Sequence, residues 1–368
     1  MKRGITAEID LGALSHNLKT IKGLVSDRPV FAVVKADAYG HGAVEVSKRM
    51  ASDRVNRLAV AFSSEAGPLR EAGIKSPIMS LFDSDPDDVF RLDLIPVVHN
   101  LKSAVRLSEM AVSRSCRLKL HLKIDTGMGR LGIYPEDIET ITSIASLRNI
   151  DIEGLMSHFS EADLGDLSFA EDQILRFSEL RAKLHEIGIT PKYMHLANSA
   201  AVINLPKAHL DAVRPGIMLY GCSPVPVSSI DLRQVMKASV KIHSLRRLKA
   251  GSPVSYGRTF RSKRDSIIAV LGVGYADGYN RFFSNTADVL IAGRRARIAG
   301  RVCMDLCMAD VTDIAAETEI SEGDDAVILG AQGNEFVSAD ELASKAGTIS
   351  YEILTSFGSK AHKIYKFS

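Results

Sequence analysis

The stretch Val33-Val34-Lys35-Ala36-Asp37-Ala38-Tyr39-Gly40-His41-Gly42 ends an apolar run on one lysine and continues into small residues and glycines. A lysine at the C-terminal end of such a β-run sits partly desolvated at a strand mouth, where its amine loses proton affinity and can form an imine. Tyr39, Gly40 and Gly42 let a phenol and bare backbone approach a ligand closely. The plainer alternative is a structural lysine paired with Asp37.

Other strings add candidates. Lys123 to Gly132 contains Gly127-x-Gly129-x-x-Gly132, the spacing of a dinucleotide fingerprint. That fingerprint needs its third glycine inside the following helix, whereas here Pro135 is expected to mark the first helical position afterwards. The better use of the string is to set Lys123 and Arg130 at a strand mouth, where they meet an oxyanion. His195-Leu196-Ala197-Asn198-Ser199 and Arg214-Pro215-Gly216-Ile217 close two later runs. Asn198 and Ser199 offer side-chain donors, and Gly216 and Ile217 offer backbone N–H groups, which suits a phosphate. Asn198-Ser199 also reads as a helix cap. Tyr275, within Gly272 to Tyr279, stands at a strand end, where most tyrosines simply pack. Cys303 and Cys307 lack histidine or further cysteine at ligand spacing, so no metal is expected.

Those residues need a scaffold. Apolar runs near Val30, Leu58, Ile78, Ile95, Leu118, Ile152, Tyr193 and Ala212 alternate with segments of helical spacing. The first such segment is capped by Asp10 and carries Leu11, Leu14, Leu18, Ile21 and Val25 on one face. This is the pattern of a (β/α)8 TIM barrel, whose sites lie at the C-terminal ends of strands. From Met236 the period becomes two, and strand-like runs follow at Ser266 to Tyr275, Ala287 to Ala292, Arg295 to Val302 and Ala326 to Leu329, with little helix before Ala339 to Ala346. The expected organisation is α/β: a barrel over 1–232, with its first strand, about 5–10, pairing with a mainly β domain over 233–368.

The chain's 368 residues, 46% of them hydrophobic, can fill two cores. Its 46 basic and 44 acidic side chains leave +2, which argues against nucleic acid and membrane surfaces as partners. No apolar run approaches the ~18 residues of a bilayer span. The four cysteines form no CxxC pair, and the start from Met1 to Glu8 is basic and lacks the apolar core of a signal peptide, so a cytoplasmic location is expected.

Taken together, these strings with Ala7-Glu8-Ile9-Asp10-Leu11, Gly274 to Gly278 and Arg301 to Asp305 resemble the alanine racemases, fold-type III enzymes that use pyridoxal 5′-phosphate, from end to end. The resemblance implies that Lys35 carries the cofactor as an imine. It implies that Tyr39, Ser199, Gly216, Ile217 and Tyr351 hold the phosphate with help from Asn198, and that Arg214 faces the pyridine nitrogen. An arginine cannot protonate that nitrogen, which mutes electron withdrawal and suppresses transamination. Inversion needs a base on each face of Cα, and the implied pair is Lys35 and Tyr275, the latter from the second subunit of a homodimer with shared active sites. His158 and Arg214 resemble the chain linking that phenol to the cofactor. Arg130 would contact the cofactor phenolate or the substrate carboxylate, the Met304 backbone N–H would help hold the carboxylate, and Lys123 matches a lysine often carbamylated in the family. The implied role is D-alanine supply for peptidoglycan. Asp37, where many relatives have Asn, and the segment 358–363 depart from the family pattern. Competing readings are a PLP-binding barrel protein of cofactor homeostasis, which lacks the β domain, a fold-type III decarboxylase, and a racemase of serine, lysine or a broad range.

Overall fold

The computed structural model describes residues 4–225 and 230–367. Met1-Lys2-Arg3, from which no leader is expected, lie outside them. The chain divides into two compact units: Ser15–Ala38 with Ala43–Leu232, and Met1–Leu14 with Tyr39–Gly42 and Arg233–Ser368.

β1 (Thr6–Asp10) is followed by the helix Leu11–Val25, whose first N–H groups are capped by Asp10: Oδ1 accepts from Gly12 and Ala13 at 2.8 and 3.0 Å. Its stripe of Leu11, Leu14, Leu18, Ile21 and Val25 is buried, as the 3.6-residue spacing demands. In the first unit, β2 (Phe31–Val33), β3 (Arg57–Val60), β4 (Ile78–Ser80), β5 (Leu94–Val98), β6 (Leu118–Lys123), β7 (Ile150–Met156) and β8 (Tyr193–His195) pair in parallel in sequence order. The run near Ala212 forms no full strand. It still closes the barrel, because Ala212 bridges His195 and Val213 bridges Val30, both in parallel. Phe31 and Val33 donate to the carbonyls of Val213 and Pro215 at 2.9 and 3.0 Å. The ladder stops there because Pro215 has no N–H to give.

The second unit is mainly β. Its central strand is β9 (Met236–Leu248), followed by β10 (Pro253–Val254), β11 (Phe260–Arg261), β12 (Ser266–Leu271), β13 (Asp288–Ile291), β14 (Arg294–Arg297), β15 (Cys307–Asp310), β16 (Asp325–Gln332), β17 (Glu335–Val337) and β18 (His362–Lys366). β9 pairs antiparallel with β1, β12 and β16, and β1 pairs in parallel with β18. Two expected strands are shorter than read. The run from Ser266 stops at Leu271, and Tyr275–Asp277 is a 3-10 turn capped by left-handed Gly278. The run from Arg295 stops at Arg297, leaving Ile298 as a single bridge to Ala309.

The helix Ala339–Ala346 matches its expected bounds, but a second helix, Ser350–Lys360, and β18 build on residues whose pattern announced neither. Gly358 lies against Gly40, where a Cβ would meet the Gly40 carbonyl oxygen at 2.0 Å, so no larger side chain fits without movement. Among the described residues no helix is long and apolar enough to cross a membrane.

Candidate active site

β2 delivers Lys35 to the barrel mouth. Val34 keeps the strand geometry, donating to the Ala59 carbonyl at 2.8 Å. The chain then turns left-handed: Ala36, Asp37, Ala38 and Tyr39 all have φ between 53° and 55°. Each such residue costs on the order of 1–2 kcal/mol, so the turn must be held from outside. Glu65 Oε1 accepts from the Ala36 N–H at 2.8 Å, Val34 O accepts from Ala38 at 2.9 Å, and Asp37 Oδ1 accepts from Ala43 at 2.7 Å. That bond asks Asp37 only for an oxygen acceptor, which the Asn of relatives supplies equally.

The Lys35 amine lies 5.4 Å from the Phe82 ring centre, and the Arg130 guanidinium lies 5.2 Å from the same ring. Burial and then Arg130 lower the proton affinity of Lys35, with Glu65 opposing. Lys123, at the end of β6, is more extreme. It is 4% exposed, its Nζ has no hydrogen-bond partner among the described residues, and burial, Arg214 and Arg130 hold it well below its ordinary value of 10.5.

The glycine string that follows is a closed loop, not a nucleotide fingerprint. Ile133 bridges Ile124, Asp125 Oδ1 accepts from Gly127 and Gly129 at 2.9 and 3.1 Å, and a Cβ on Gly132 would lie 2.6 Å from the Asp125 nitrogen. Pro135 does not open the next helix as expected. That helix is Ile138–Ala145, capped by Asp137, whose carboxylate accepts from Thr140 at 3.0 Å.

Arg214 is 4% exposed, and burial presses it down to about 9, so it stays charged at neutral pH. Nη2 donates to the carbonyls of Ser157 and Leu196 at 2.7 and 3.2 Å and lies 3.4 Å from His158 Nδ1. Nη1 faces His195 Nδ1 at 2.6 Å. Burial, then Lys123 and Arg214, keep His158 well below its usual 6.5.

On the neighbouring loop both readings of Asn198-Ser199 hold. Asn198 caps the helix Ser199–Asn204, accepting from Ala201 at 3.0 Å. Ser199 Oγ accepts from the N–H groups of Gly216 and Met218 at 2.9 and 3.4 Å, which leaves its own proton to be donated elsewhere. Gly216 therefore spends its N–H on Ser199, and Ile217 opens a 3-10 turn whose leading N–H groups have no intrahelical partner.

The second unit carries the other expected residues. The rings of Tyr39 and Tyr351 lie 5.9 Å apart. Tyr275 and Ala276 donate from their backbones to Cys303 and Met304 at 3.1 and 3.0 Å. Met304 lines an open concavity of about 400 Å³ with Ser255, Tyr256, Cys303 and Leu306. Tyr275 is outside that lining. Tyr256, which the sequence reading passed over, is inside it and 69% exposed, on a turn where Ser255 and Arg258 have φ of 63° and 52°. Strain of this kind concentrates at functional sites, and Ser-Tyr-Gly at a strand end was the available signal. Also missed were His121, Glu153 and Arg57, which join His195 in the barrel interior.

Residues 9–224 match the family Alanine racemase, N-terminal domain, and residues 235–365 match Alanine racemase, C-terminal domain. The chain is 47% identical to an alanine racemase of Thermodesulfovibrio yellowstonii, covering 99% of this chain and 98% of that protein. An alanine racemase structure from Streptomyces lavendulae is 31% identical with a TM-score of 0.92, covering 100% of this chain and 98% of that one. One from Bacillus anthracis with bound L-Ala-P is 34% identical with a TM-score of 0.89, covering 100% and 96%.

Proposed function

The chain belongs to the alanine racemase family, and on that premise we propose how its own residues divide the work of inverting Cα. The protein is a PLP-dependent racemase that interconverts L- and D-alanine. The observation that carries the site assignment is a desolvated Lys35 amine at a strand mouth shared with Arg130.

The residues fit the cofactor. The spare Ser199 proton beside the Ile217 turn suits a phosphate, and the buried Arg214 suits a ring nitrogen that accepts but does not hold a proton. Lys35 would hold its carbonyl carbon, with Asn198 and Ile217 adding phosphate donors and His158 supporting Arg214; Gly216 acts through the Ser199 hydroxyl to which it donates, and Tyr39 and Tyr351 are the further phosphate ligands that the resemblance implies. Bound there, the pyridoxal ring acidifies Cα by delocalising the electron pair left behind.

Lys35 Nζ then moves the Cα proton on one face, and a tyrosine Oη moves it on the other. Tyr275 is the tyrosine the resemblance suggests. Tyr256 is favoured by its place beside Met304 in the concavity and by its strained turn. We assign that tyrosine to a second copy of the chain, in a cytoplasmic homodimer. The exposed apolar surface of Tyr256, Met304 and Leu306 supports a covering partner. Arg130 and the Met304 backbone take the substrate carboxylate.

An unprotonated Lys123 amine adds CO2 and releases one proton, and the resulting carbamate is an anion between Arg130 and Arg214. A carbamate resonance from ¹³C-bicarbonate, lost in Lys123→Met, tests this. D-alanine for peptidoglycan is the cellular role that follows. Incubation with single L-amino acids in D2O, following Cα exchange and optical inversion, tests the whole reading. Exchange without inversion would remove the second base, and faster inversion of serine than alanine would change the substrate.

A further inference from the structure

Beneath Arg214 a line of buried polar groups runs through the barrel interior. Arg214 Nη1 is 2.6 Å from His195 Nδ1, His195 Nε2 is 2.7 Å from His121 Nδ1, and His121 Nε2 is 3.4 Å from Glu153 Oε2. Arg57 Nη2 closes the line on the same Glu153 oxygen at 2.7 Å. His121 and His195 are 0% exposed, and Arg57 and Glu153 are 6% and 8% exposed. The Arg57 guanidinium is fixed against the rings of Phe31 and Tyr193, at 5.1 and 4.8 Å.

The direction of donation is forced. A guanidinium has only N–H groups, so His195 Nδ1 must accept and its proton sits on Nε2. His121 Nδ1 must then accept in turn, and its own Nε2–H points to Glu153. Any other assignment sets two N–H groups head-on across 2.6 or 2.7 Å. Arg57 Nη1 also lies 3.3 Å from His121 Nε2, but a bond there needs that nitrogen bare, which reverses the whole line. Both imidazoles must be neutral to accept and donate at once. Burial supplies this, pushing His121 down to about 4 and His195 well below 6.5. Burial alone would raise Glu153, but bonds from His121 and Arg57 hold it at about 2, an acceptor at working pH.

We propose that Glu153, locked by Arg57, is a positioning residue for racemisation: it is the acceptor that orients His121 and His195 and thereby holds Arg214 in one pose toward the cofactor ring. This rests on the reading that Arg214 faces that ring. The sequence hides the line because its members come from four strands and, for Arg214, the loop that closes the barrel, and a buried network of this kind acts as a unit.

The test uses cofactor-loaded enzyme labelled with ¹⁵N-histidine, alongside Glu153→Gln, which keeps an oxygen acceptor, and Glu153→Leu, which does not. Wild type and E153Q are expected to show His121 and His195 neutral with the proton on Nε2. E153L is expected to lose that pattern at His195, to shift the absorption of the bound cofactor, and to lower kcat roughly tenfold, the low end of what outer partners of functional histidines contribute. KM for alanine stays within about twofold. A proton on Nδ1 of either histidine in wild type overturns the proposal without any variant, as do an E153L enzyme with unchanged imidazole and absorption spectra and an E153Q enzyme as impaired as E153L. The role of Arg214 is read separately. An unchanged cofactor spectrum in Arg214→Lys would sink that reading while leaving the imidazole assignments in place.

Discussion

At the barrel mouth burial, then Arg214 and Arg130, depress the amine of Lys123, and burial, then Arg130, that of Lys35. On the β13–β14 hairpin the same residue types meet carboxylates. Arg295 bonds Glu335 and Glu341 at 2.9 and 2.8 Å, Arg297 meets Asp288 at 2.7 Å, and Lys345 reaches Asp288 and Glu341 at 3.0 and 2.7 Å. The second cluster is settled within the protein. The first is an excess of positive charge with too little acid to answer it, which weakens the apo fold and favours an anionic ligand. Charge count alone would not separate them; the presence or absence of facing carboxylates does.

The largest effect that tests this contrast is at Lys35. Lys35→Ala should lower the rate of alanine inversion by about 10⁴-fold or more, the upper range for one positioned proton transfer, while the melting temperature of the cofactor-free protein holds or rises. Retention of a tenth of the wild-type rate would refute the assignment. Next come the tyrosines. Tyr256→Phe should cost roughly 10²- to 10⁴-fold in Cα exchange from one enantiomer more than from the other, and Tyr275→Phe less than about tenfold in both. The reverse ranking returns the role to Tyr275.

Arg295→Ala should leave inversion unchanged. Its side chain is 35% exposed, so screening limits the loss to about 1 kcal/mol, or ~2–4 °C in melting temperature. A loss of activity without loss of stability would erase the contrast.

The smallest effects are in the pH dependence of stability. Arg295, against the opposing pull of burial and with help from Lys345, keeps Glu341 below its usual 4.5. Its contribution is present above 4.5 and lost as pH falls toward the depressed value, so Glu341→Gln should flatten that acid limb. Lys35 in cofactor-free protein is the converse: its burial penalty applies below its depressed pKa and is relieved as pH rises to 10.5. Lys35→Met should flatten the alkaline limb. Both limbs rise with pH, one from a gain acquired and the other from a penalty removed. Thermal melts across pH measure both.

The fold's regular parts were readable because they repeat. Leu11 to Val25 shows one face of a helix, and Met236 to Ile242 alternates as a half-buried strand does. Lys35 was readable because a charge ending an apolar run is out of place. Harder were features made by distant residues. His121, Glu153 and Arg57 lie on β6, β7 and β3, and only barrel closure brings them together. One trace existed: Lys119-Leu-His121-Leu-Lys123 alternates polar and apolar in a strand that buries every residue but Lys119. Pro135 misled because its preference for a helix start was overruled by the better cap at Asp137. Tyr256 escaped because Ser-Tyr-Gly at a strand end is a weak turn signal, and the strain at Ser255 and Arg258 shows only in the folded backbone.

The parallel pairing of β1 with β18, Thr6 beside His362 through Asp10 beside Lys366, ties a strand made before the barrel to one made long after it. At ordinary elongation rates β1 waits roughly 20 to 70 s for that partner. During this time the residues forming the barrel are already outside the exit tunnel and free to close. The second unit can finish only once β18 has emerged, so a chain truncated or stalled before β18 ends with a folded barrel and an unpaired strand edge, the form most open to aggregation and clearance.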